Sequence, residues 1–591
     1  MSFEQSRERR LLLWLCALKI AALAIVFDPA ALNAFQLPKS LASRALEWPI
    51  AAVVLFALVT HGRGIVPRGR THIAVLAVFV ASAISALFAA DRYVAFFGDP
   101  ENYAGLTLLF DMTVLYLAVA IAVRDERDVR VLLGAMLAAG AVAIAYGAVQ
   151  ALGADPFSWA AEARIRPFAT FGNADHFGHF LSVLFGVALG LAVASRATRT
   201  RIAAGGTALL TLAMAAVVAT RGTVVGIAAS VIGAAAVARP SWRTLPWLAG
   251  AAAIAVLLAL TPLGTRTLST LGVADRLTLY AIAARATLAR PLLGYGPDNF
   301  RVAFAAQRTA ESVPILGGGP QSTAHDWILD ASATTGLVGL AALIALVVLG
   351  TLELWRLSRA MPFAGVPFLL GWLAYWGHGL VAAVSLAAAW YPWVALGVAV
   401  ALRARTAPAP RQRASPRWAA AAVAVVALAG ALSGARALQA DRDAWSSEVA
   451  AHDGDEASAV TFADRAAARD GGRADYWDRL GLALDAAGRR DVAIGAYREA
   501  TRRAPYEAAY WSNLSRALAR GAGSDAAARD DALGAARQAT VVDPNAPVGH
   551  ISLAEIAIAF GRCDLARTEA DRAAALEPGH DDLVRRAADC R

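Results

Sequence analysis

Long runs of apolar residues recur along most of this chain of 591 residues. We find thirteen runs that are long enough, or nearly so, to cross a hydrocarbon layer of about 30 Å as helices. They lie at 10–27, 47–61, 72–90, 104–122, 130–152, 175–195, 202–219, 222–238, 245–261, 327–351, 364–384, 387–402 and 418–435. A composition of 58% apolar and 17% charged residues fits this pattern. The sequence therefore predicts an all-α fold whose larger part is a polytopic membrane helical bundle.

Arginine is concentrated in every second connection between these runs. Because cytoplasmic loops hold an excess of Arg and Lys, the alternation predicts a cytoplasmic N-terminus and places the long segment 262–326 on the opposite side. Arg7, Arg9 and Arg10 precede the first run, and no small-residue cleavage site follows it, so we expect a retained helix. The same loops account for the net charge of +9, which therefore gives no reason to expect a nucleic-acid partner.

The chain divides into a body with twelve runs, 1–403, and a C-terminal part. A Pro- and Arg-rich linker, 404–417, leads into one additional apolar run, 418–435. By parity, everything after that run lies outside the cytoplasm. For a bacterial inner membrane this predicts a multi-pass protein with a periplasmic C-terminal domain at 440–591.

The C-terminal domain contains an internal repeat. Trp477-x-x-Leu480-Gly481 returns as Trp511-x-x-Leu514 after 34 residues, and Pro544 returns as Pro578 after the same step. This pattern resembles the tetratricopeptide repeat, in which helix pairs stack into an α-solenoid, and about three repeats are visible. The alternative is an unrelated Ala-rich bundle. Such a domain would present a concave helical surface to a partner, either another envelope-assembly protein or the acceptor itself.

Only three cysteines are present, which excludes a disulfide framework and leaves no Cys or Cys/His group at zinc spacing. Cys563 and Cys590 both lie in the predicted periplasmic domain. In this oxidising compartment they could pair, but we expect two buried free thiols.

Several ionisable residues on the predicted outer side are not explained by membrane insertion. Arginine offers a permanent charge with forked donors, which suits a pyrophosphate group. The alternative is that these side chains extend to lipid headgroups. The residues are Arg166, Arg221, Arg276, Arg285 and Arg290.

Three histidines share that side. His325 lies just before the tenth run and is a candidate general base, although a structural histidine is the simpler reading. His176 and His179 have a spacing that places both rings on one helix face, but a third ligand is missing, so we expect no metal site. Asp111 and His378 lie inside runs and are expected to have partners within the bundle.

Four segments together resemble the O-antigen ligase and polymerase family of bacterial inner-membrane glycosyltransferases. Segment 166–175 reads Arg-Pro-Phe-Ala-Thr-Phe-Gly-Asn-Ala-Asp, and 220–222 reads Thr-Arg-Gly. Segment 290–300 reads Arg-Pro-Leu-Leu-Gly-Tyr-Gly-Pro-Asp-Asn-Phe and is preceded by Asp-Arg at 275–276. Segment 325–329 reads His-Asp-Trp-Ile-Leu and is followed by glycines at 336 and 339. Order, spacing and predicted side agree across residues 70–400.

The resemblance implies a C-type glycosyltransferase body of about twelve spans with 262–326 as its large periplasmic loop. It implies transfer of a glycan from undecaprenyl pyrophosphate to an acceptor hydroxyl, such as the lipid A core, without a metal or other cofactor and with inversion. His325 would act on the acceptor hydroxyl, and Arg221 and Arg276 would bind the pyrophosphate. The remaining substrate-binding residues would be Arg166, Asn173, Arg285, Arg290 and Asp326.

Other functions remain open at this stage. Ligases, polysaccharide polymerases and protein O-oligosaccharyltransferases share these motifs, so the acceptor is undetermined. A polytopic transporter or flippase would need binding groups near the bilayer midplane, whereas these lie at one rim. A membrane scaffold would not depend on its outer arginines.

Overall fold

The computed structural model describes residues 6–159, 162–238, 273–383, 385–403 and 417–591. Within these ranges the regular secondary structure is helical and includes no strand, so the all-α prediction is confirmed for the described chain. The predicted run 245–261 and most of the linker 404–417 lie outside the described residues.

Most helices of the body overlap the predicted apolar runs, whereas four of those described, at 92–97, 273–289, 300–307 and 313–316, lie in the connections between runs. In chain order the described helices of the body are α1 (Arg7–Ile25), α2 (Gln36–His61), α3 (Thr71–Leu87), α4 (Arg92–Phe97), α5 (Leu106–Ala122), α6 (Glu126–Ala151), α7 (Ala174–Ala194), α8 (Thr198–Val218), α9 (Arg221–Ala238), α10 (Val273–Ala289), α11 (Phe300–Gln307), α12 (Val313–Leu316), α13 (Trp327–Ala360), α14 (Pro362–Gly379) and α15 (Tyr391–Arg403). Of the described helices, α2, α6, α7, α8 and α13 are long and apolar enough to cross a membrane, judged by length and composition. The total of about twelve spans stays a prediction.

Helix α2 begins eleven residues before the run predicted at 47–61, because its first half has a buried polar face. Lys39, Ser43 and Glu47 recur at a spacing of four and are buried. Glu47 pairs with Lys19 of α1, and the Ser43 hydroxyl donates to Asp111 of α5 at 2.9 Å. A hydropathy count treats such residues as polar surface, although here they partner one another. The expected partnering of Asp111 inside the bundle is confirmed.

Helix α7 lies at the centre of the body and packs against α8, α9 and α14. Its small residues let the backbones of α7 and α14 approach closely. A Cβ atom at Gly186 would lie 2.7 Å from the Leu370 carbonyl oxygen, and one at Gly190 would lie 2.5 Å from the Pro367 Cα. Close contact through small residues is a common way for helices to associate in membranes.

Helix α13 is interrupted at Gly336, and segment 291–296 packs against the backbone at this interruption. Gly336 has φ 69° and ψ −176°, and a Cβ there would lie 2.2 Å from the Leu292 carbonyl oxygen. The N–H groups of Tyr295 and Gly296 donate to the carbonyl groups of residues 333 and 334 at 3.0 and 2.7 Å. The third and fourth sequence motifs therefore form one packed unit, which explains their glycines.

The C-terminal domain is a series of helix hairpins. Its helices are α16 (Arg417–His452), α17 (Glu456–Arg469), α18 (Ala474–Ala486), α19 (Arg490–Arg503), α20 (Ala508–Gly521), α21 (Ala526–Val542), α22 (Pro547–Ala559), α23 (Cys563–Leu576) and α24 (Asp581–Ala588). Consecutive helices pack in pairs, as the predicted helical repeat requires. The predicted run 418–435 and the start of the repeat domain belong to a single helix, α16.

The two cysteines of the repeat domain are joined, so the expectation of two buried free thiols is wrong. Cys563 begins α23, and Cys590 follows α24, which folds back against α22 and α23. The two Cα atoms lie 5.3 Å apart, within the range for a disulfide. The return of the last helix across the hairpin brings them together.

Candidate functional site

The turn that carries Arg221 lies between α8 and α9. Ala219 takes a left-handed conformation (φ 50°, ψ 58°) directly after α8, and Arg221 is already the first residue of α9. The hydroxyl groups of Thr220 and Thr223 form a buried hydrogen bond of 2.6 Å across the turn. This short reversal places Arg221 at the N-terminal end of a helix, where the backbone dipole favours anions.

Arg276 lies near the start of α10 and is linked to Arg221 through Asp275. One carboxylate oxygen of Asp275 lies 3.8 Å from Nη1 of Arg221 and accepts a 2.9 Å hydrogen bond from the backbone N–H of Arg276. The Nε atom of Arg276 is buried and has no hydrogen-bond partner within the described residues. An unpaired buried donor costs roughly 1–3 kcal/mol, and more on a charged group, so this N–H favours a ligand that accepts a hydrogen bond.

His325 precedes α13 in a left-handed conformation with φ 55°. Hydrogen bonds hold the backbone on both sides of it. The Asp330 carboxylate accepts the Ala324 N–H at 2.6 Å, and Asp326 accepts two N–H groups of the first turn of α13 at 2.8 and 3.0 Å. Such a conformation costs about 1–3 kcal/mol in a residue with a side chain, and these bonds maintain it.

The imidazole of His325 is neutral at pH 7. Burial and, second to it, the charge of Arg276 lower the pKa of His325 to about 4, against the opposing effect of Asp175. Its Nδ1 atom is buried and has no hydrogen-bond partner within the part of the chain described. A neutral imidazole with an open nitrogen is able to accept a proton.

Tyr280 is part of the same group, although the sequence did not single it out. Burial raises its pKa, and Asp326, Arg276 and Arg221 all lie close enough to act on it. Tyr280 follows Arg276 by four residues on α10, so the two side chains share one helix face. This spacing of four residues from Arg276 is the feature of the sequence that could have identified Tyr280. We call Arg221, Asp275, Arg276, Tyr280 and His325 the arginine–histidine cluster.

The segment that leads into α7 borders this cluster. The Asn173 side chain accepts a 2.7 Å hydrogen bond from the Asp175 N–H and caps the helix. Arg166 lies 3.6 Å from the Asp175 carboxylate and is more than half exposed. Asp175 in turn acts on the pKa of His325. Asp175 therefore links the first sequence motif to His325 of the fourth.

Arg285 and Arg290 have their contacts elsewhere. Arg285 donates to the Gln307 carbonyl at 3.1 Å, and the exposed Arg290 lies over the Tyr295 ring at 4.4 Å. The reason is helix geometry. Nine residues separate Arg276 from Arg285, which is a rotation of about 180° on α10. Both arginines thus have structural contacts rather than contacts with the cluster.

Asp326 also has a structural role, because its carboxylate caps α13 as described above. Burial raises its pKa, and the two backbone N–H groups oppose that effect. A capping carboxylate of this kind contributes roughly 0.5–2 kcal/mol to helix stability. Among the described residues, the Asp326 carboxylate forms no hydrogen bond with the side chain of His325. The role of Asp326 in substrate binding stays a prediction.

A cavity of about 300 Å³ adjoins the segment around His325. Most of its lining is apolar, and Thr323 and Trp327, which flank His325 in the sequence, both contribute to it. Asp298 lies at its wall and accepts hydrogen bonds from the N–H groups of Asp99 and Ala104 at 2.7 and 2.9 Å. An apolar cavity with a few fixed polar groups is typical of a site for an organic ligand.

His176 and His179 have hydrogen-bond partners within the bundle, whereas both ring nitrogens of His378 are buried without one among the described residues. Nδ1 of His176 lies 2.9 Å from the amide nitrogen of Gln36, and Nδ1 of His179 accepts the Ser385 N–H at 3.1 Å. The ring of His179 stacks on that of His378 at 4.4 Å. Within the described residues, His, Cys, Asp and Glu form no group of three or more that is arranged to hold a metal.

Comparisons with known proteins identify no family for the whole chain. No family model matches it, and no curated protein matches its sequence. Among solved structures it is similar to YrrB, a TPR protein with an unusual peptide-binding site, at 18% identity and a TM-score of 0.23, over 29% of this chain and 82% of that one. It is also similar to TTC0263, a thermophilic TPR protein in Thermus thermophilus, at 20% identity and a TM-score of 0.23, over 29% of this chain and 93% of that one. A third similar structure is the APC/C hetero-tetramer Cut9–Hcn1, at 13% identity and a TM-score of 0.23, over 93% of both chains.

Proposed function

We propose that this protein is an inner-membrane glycosyltransferase that moves a glycan from undecaprenyl pyrophosphate to an acceptor hydroxyl on the periplasmic side. The observation that carries the proposal is the convergence of Arg221, Arg276 and His325 from three separate segments. Two fixed positive charges act on one neutral imidazole, and the residues on either side of this imidazole in the sequence, Thr323 and Trp327, line an apolar cavity. The positive charges suit an anionic leaving group, and the neutral imidazole can accept the proton of a hydroxyl nucleophile. The apolar cavity suits a lipid.

In this mechanism the arginines act on the leaving group. The guanidinium groups of Arg221 and Arg276 bind the pyrophosphate and stabilise the charge that develops on it, which is electrostatic stabilisation by preorganised donors. The unpaired Nε–H of Arg276 is the donor that gains most from this contact. Asp275 lies 3.8 Å from the Arg221 guanidinium and precedes Arg276 in the chain, so its negative charge reduces the repulsion between the two arginines.

His325 acts on the acceptor. As the acceptor oxygen bonds to the anomeric carbon, the bond from that carbon to the pyrophosphate oxygen breaks, and the hydroxyl proton passes to the imidazole. The electron pair of the broken bond leaves with the pyrophosphate. A single displacement of this kind inverts the anomeric centre, and the chain's own residues supply the proton acceptor and the charge stabilisation.

The test is transfer by the full chain in proteoliposomes that contain an undecaprenyl-pyrophosphate glycan. A panel of acceptors, namely lipid A core, a second lipid-linked glycan and a Ser/Thr peptide, separates ligase, polymerase and protein transferase. We expect His325→Ala and Arg276→Ala to lose at least a hundredfold in turnover. Arg290→Ala removes the same charge from an exposed arginine of the same loop and is the matched control.

Two results would contradict the proposal. If no acceptor is glycosylated while the lipid-linked glycan moves between leaflets, a transporter is favoured. If His325→Ala and Arg290→Ala are equally active, the enzyme uses another site.

A further inference from the structure

The repeat domain contacts the body through equivalent turns between its hairpins. Arg473 donates to the Tyr103 hydroxyl at 2.8 Å, Tyr506 donates to Asp91, and Arg308 pairs with Asp543 at 2.8 Å. We call the turns 470–473, 504–507 and 543–546 the docking turns. Because the repeat recurs with steps near 34 residues, it presents these turns along one edge. That edge lies against segments 91–103 and 301–308 of the body.

The pair formed by Arg308 and Asp543 is the most buried of these contacts. The side chains are 1% and 7% exposed. Nε and Nη2 of Arg308 both reach the Asp543 carboxylate at 2.8 Å, which is the forked geometry that makes such pairs strong. The Asn545 side chain also donates to the Arg308 carbonyl at 2.9 Å. A single docking turn therefore holds both the side chain and the backbone of Arg308.

Arg308 passes this restraint on to the segment that ends at His325. Its Nη1 donates to the Gly318 carbonyl at 3.0 Å. A Cβ at Gly318 would lie 3.1 Å from Cγ of Pro547, so the repeat domain also touches this glycine. Three consecutive glycines, 317–319, have wide conformational freedom, and an external contact must fix them.

Between these glycines and His325 the segment has two additional hydrogen bonds with the body, and one of them is the 2.6 Å bond from the Ala324 N–H to the Asp330 carboxylate. The Asn102 side chain donates to the Ser322 carbonyl at 3.3 Å. His325 itself is left-handed, so its conformation depends on restraint from both neighbours along the chain. Loss of the contact at Gly318 would weaken the N-terminal side of that restraint, because the hydrogen bonds at Ser322 and Ala324 would then act alone.

We propose that the repeat domain positions His325, with Arg308 as the positioning residue and Asp543 as its fixed point. The catalytic consequence rests on the function proposed above, whereas the positioning itself does not. Displacement of the docking turns from the body would then change transfer without any change in the arginine–histidine cluster itself.

The test uses the full chain with Asp543→Asn, which removes the charge and keeps the shape, and Asp543→Glu, which keeps the charge. Asp485→Asn is the matched control, because Asp485 pairs with Arg520 inside the repeat domain. We expect amide hydrogen exchange in residues 317–325 to rise about tenfold in Asp543→Asn, as for loss of one charged hydrogen bond, and much less in Asp543→Glu. Exchange within α20–α22 should not change.

Kinetics provide the second readout. We expect kcat to fall about tenfold in Asp543→Asn with the donor KM unchanged, because α9 and α10 hold Arg221 and Arg276 independently of this pair. Unchanged exchange at 317–325, or an equal effect of Asp485→Asn, would overturn the proposal. If the wild-type protein transfers no glycan, the function proposed above fails, and the exchange measurement still decides whether the repeat domain positions the segment.

Discussion

The pH dependence of transfer is the sharpest prediction from the site, because the pKa of His325 is lowered to about 4. A histidine with the ordinary pKa of about 6.5 is roughly 24% neutral at pH 6 and about 3% neutral at pH 5. With a pKa of about 4, the corresponding neutral fractions are about 99% and about 91%. Since the neutral form accepts the proton, kcat/KM should change by less than a fifth between pH 8 and pH 5.

The assay is kcat/KM for glycan transfer in proteoliposomes between pH 4 and pH 8, because this parameter reports the free enzyme. Folding needs a parallel check. Below pH 6.5 the unfolded chain binds a proton that the folded chain lacks, so His325 removes stability progressively down to pH 4. An acid limb centred near pH 6.5 in a fully folded enzyme would refute the burial of His325 or its role as base.

Three other predictions concern different parts of the structure. Arg276→Lys keeps the charge but loses the forked N–H groups of the guanidinium, so the affinity for the lipid-linked glycan donor, measured by equilibrium binding, should fall about tenfold. An unchanged affinity would exclude forked binding. Gly336→Ala places a Cβ 2.2 Å from a carbonyl oxygen at φ 69°, so thermal unfolding should show a loss of at least about 2 kcal/mol, whereas Gly205→Ala, with open space at its Cβ, should not. Reduction of the Cys563–Cys590 disulfide, which closes a loop of 27 residues, should destabilise the repeat domain by about 3–4 kcal/mol, and thiol labelling without reductant at these positions would contradict the pairing.

Much of the helical architecture follows from the sequence. Apolar runs mark the helices because their side chains must be buried, either in the protein or in lipid. The start of α2 was not predicted, since Lys39, Ser43 and Glu47 are polar but partner other buried groups. The repeat of 34 residues predicted the hairpins, and Tyr497 explains the glycine at 481, because a Cβ there would lie 2.5 Å from the tyrosine ring.

The candidate site was predictable only in part. Arg221, Arg276 and His325 were selected by motif and predicted side, and the structure places them together. Arg285 was included because the path of 262–326 was unknown, whereas a helix through both arginines places Arg276 and Arg285 on opposite faces. Arg308 was missed because its role depends on a contact with a residue 235 positions away, which no local pattern encodes.

The most direct test of the central claim separates donor binding from transfer in one preparation. Undecaprenyl pyrophosphate is the probe for binding, and a lipid-linked glycan with its productive acceptor is the substrate for transfer. We predict that His325→Ala binds the probe within about threefold of wild type yet transfers at least a hundredfold more slowly, while Arg276→Ala loses both. Full transfer by His325→Ala, or unchanged probe affinity in Arg276→Ala, would contradict the assignment of this site.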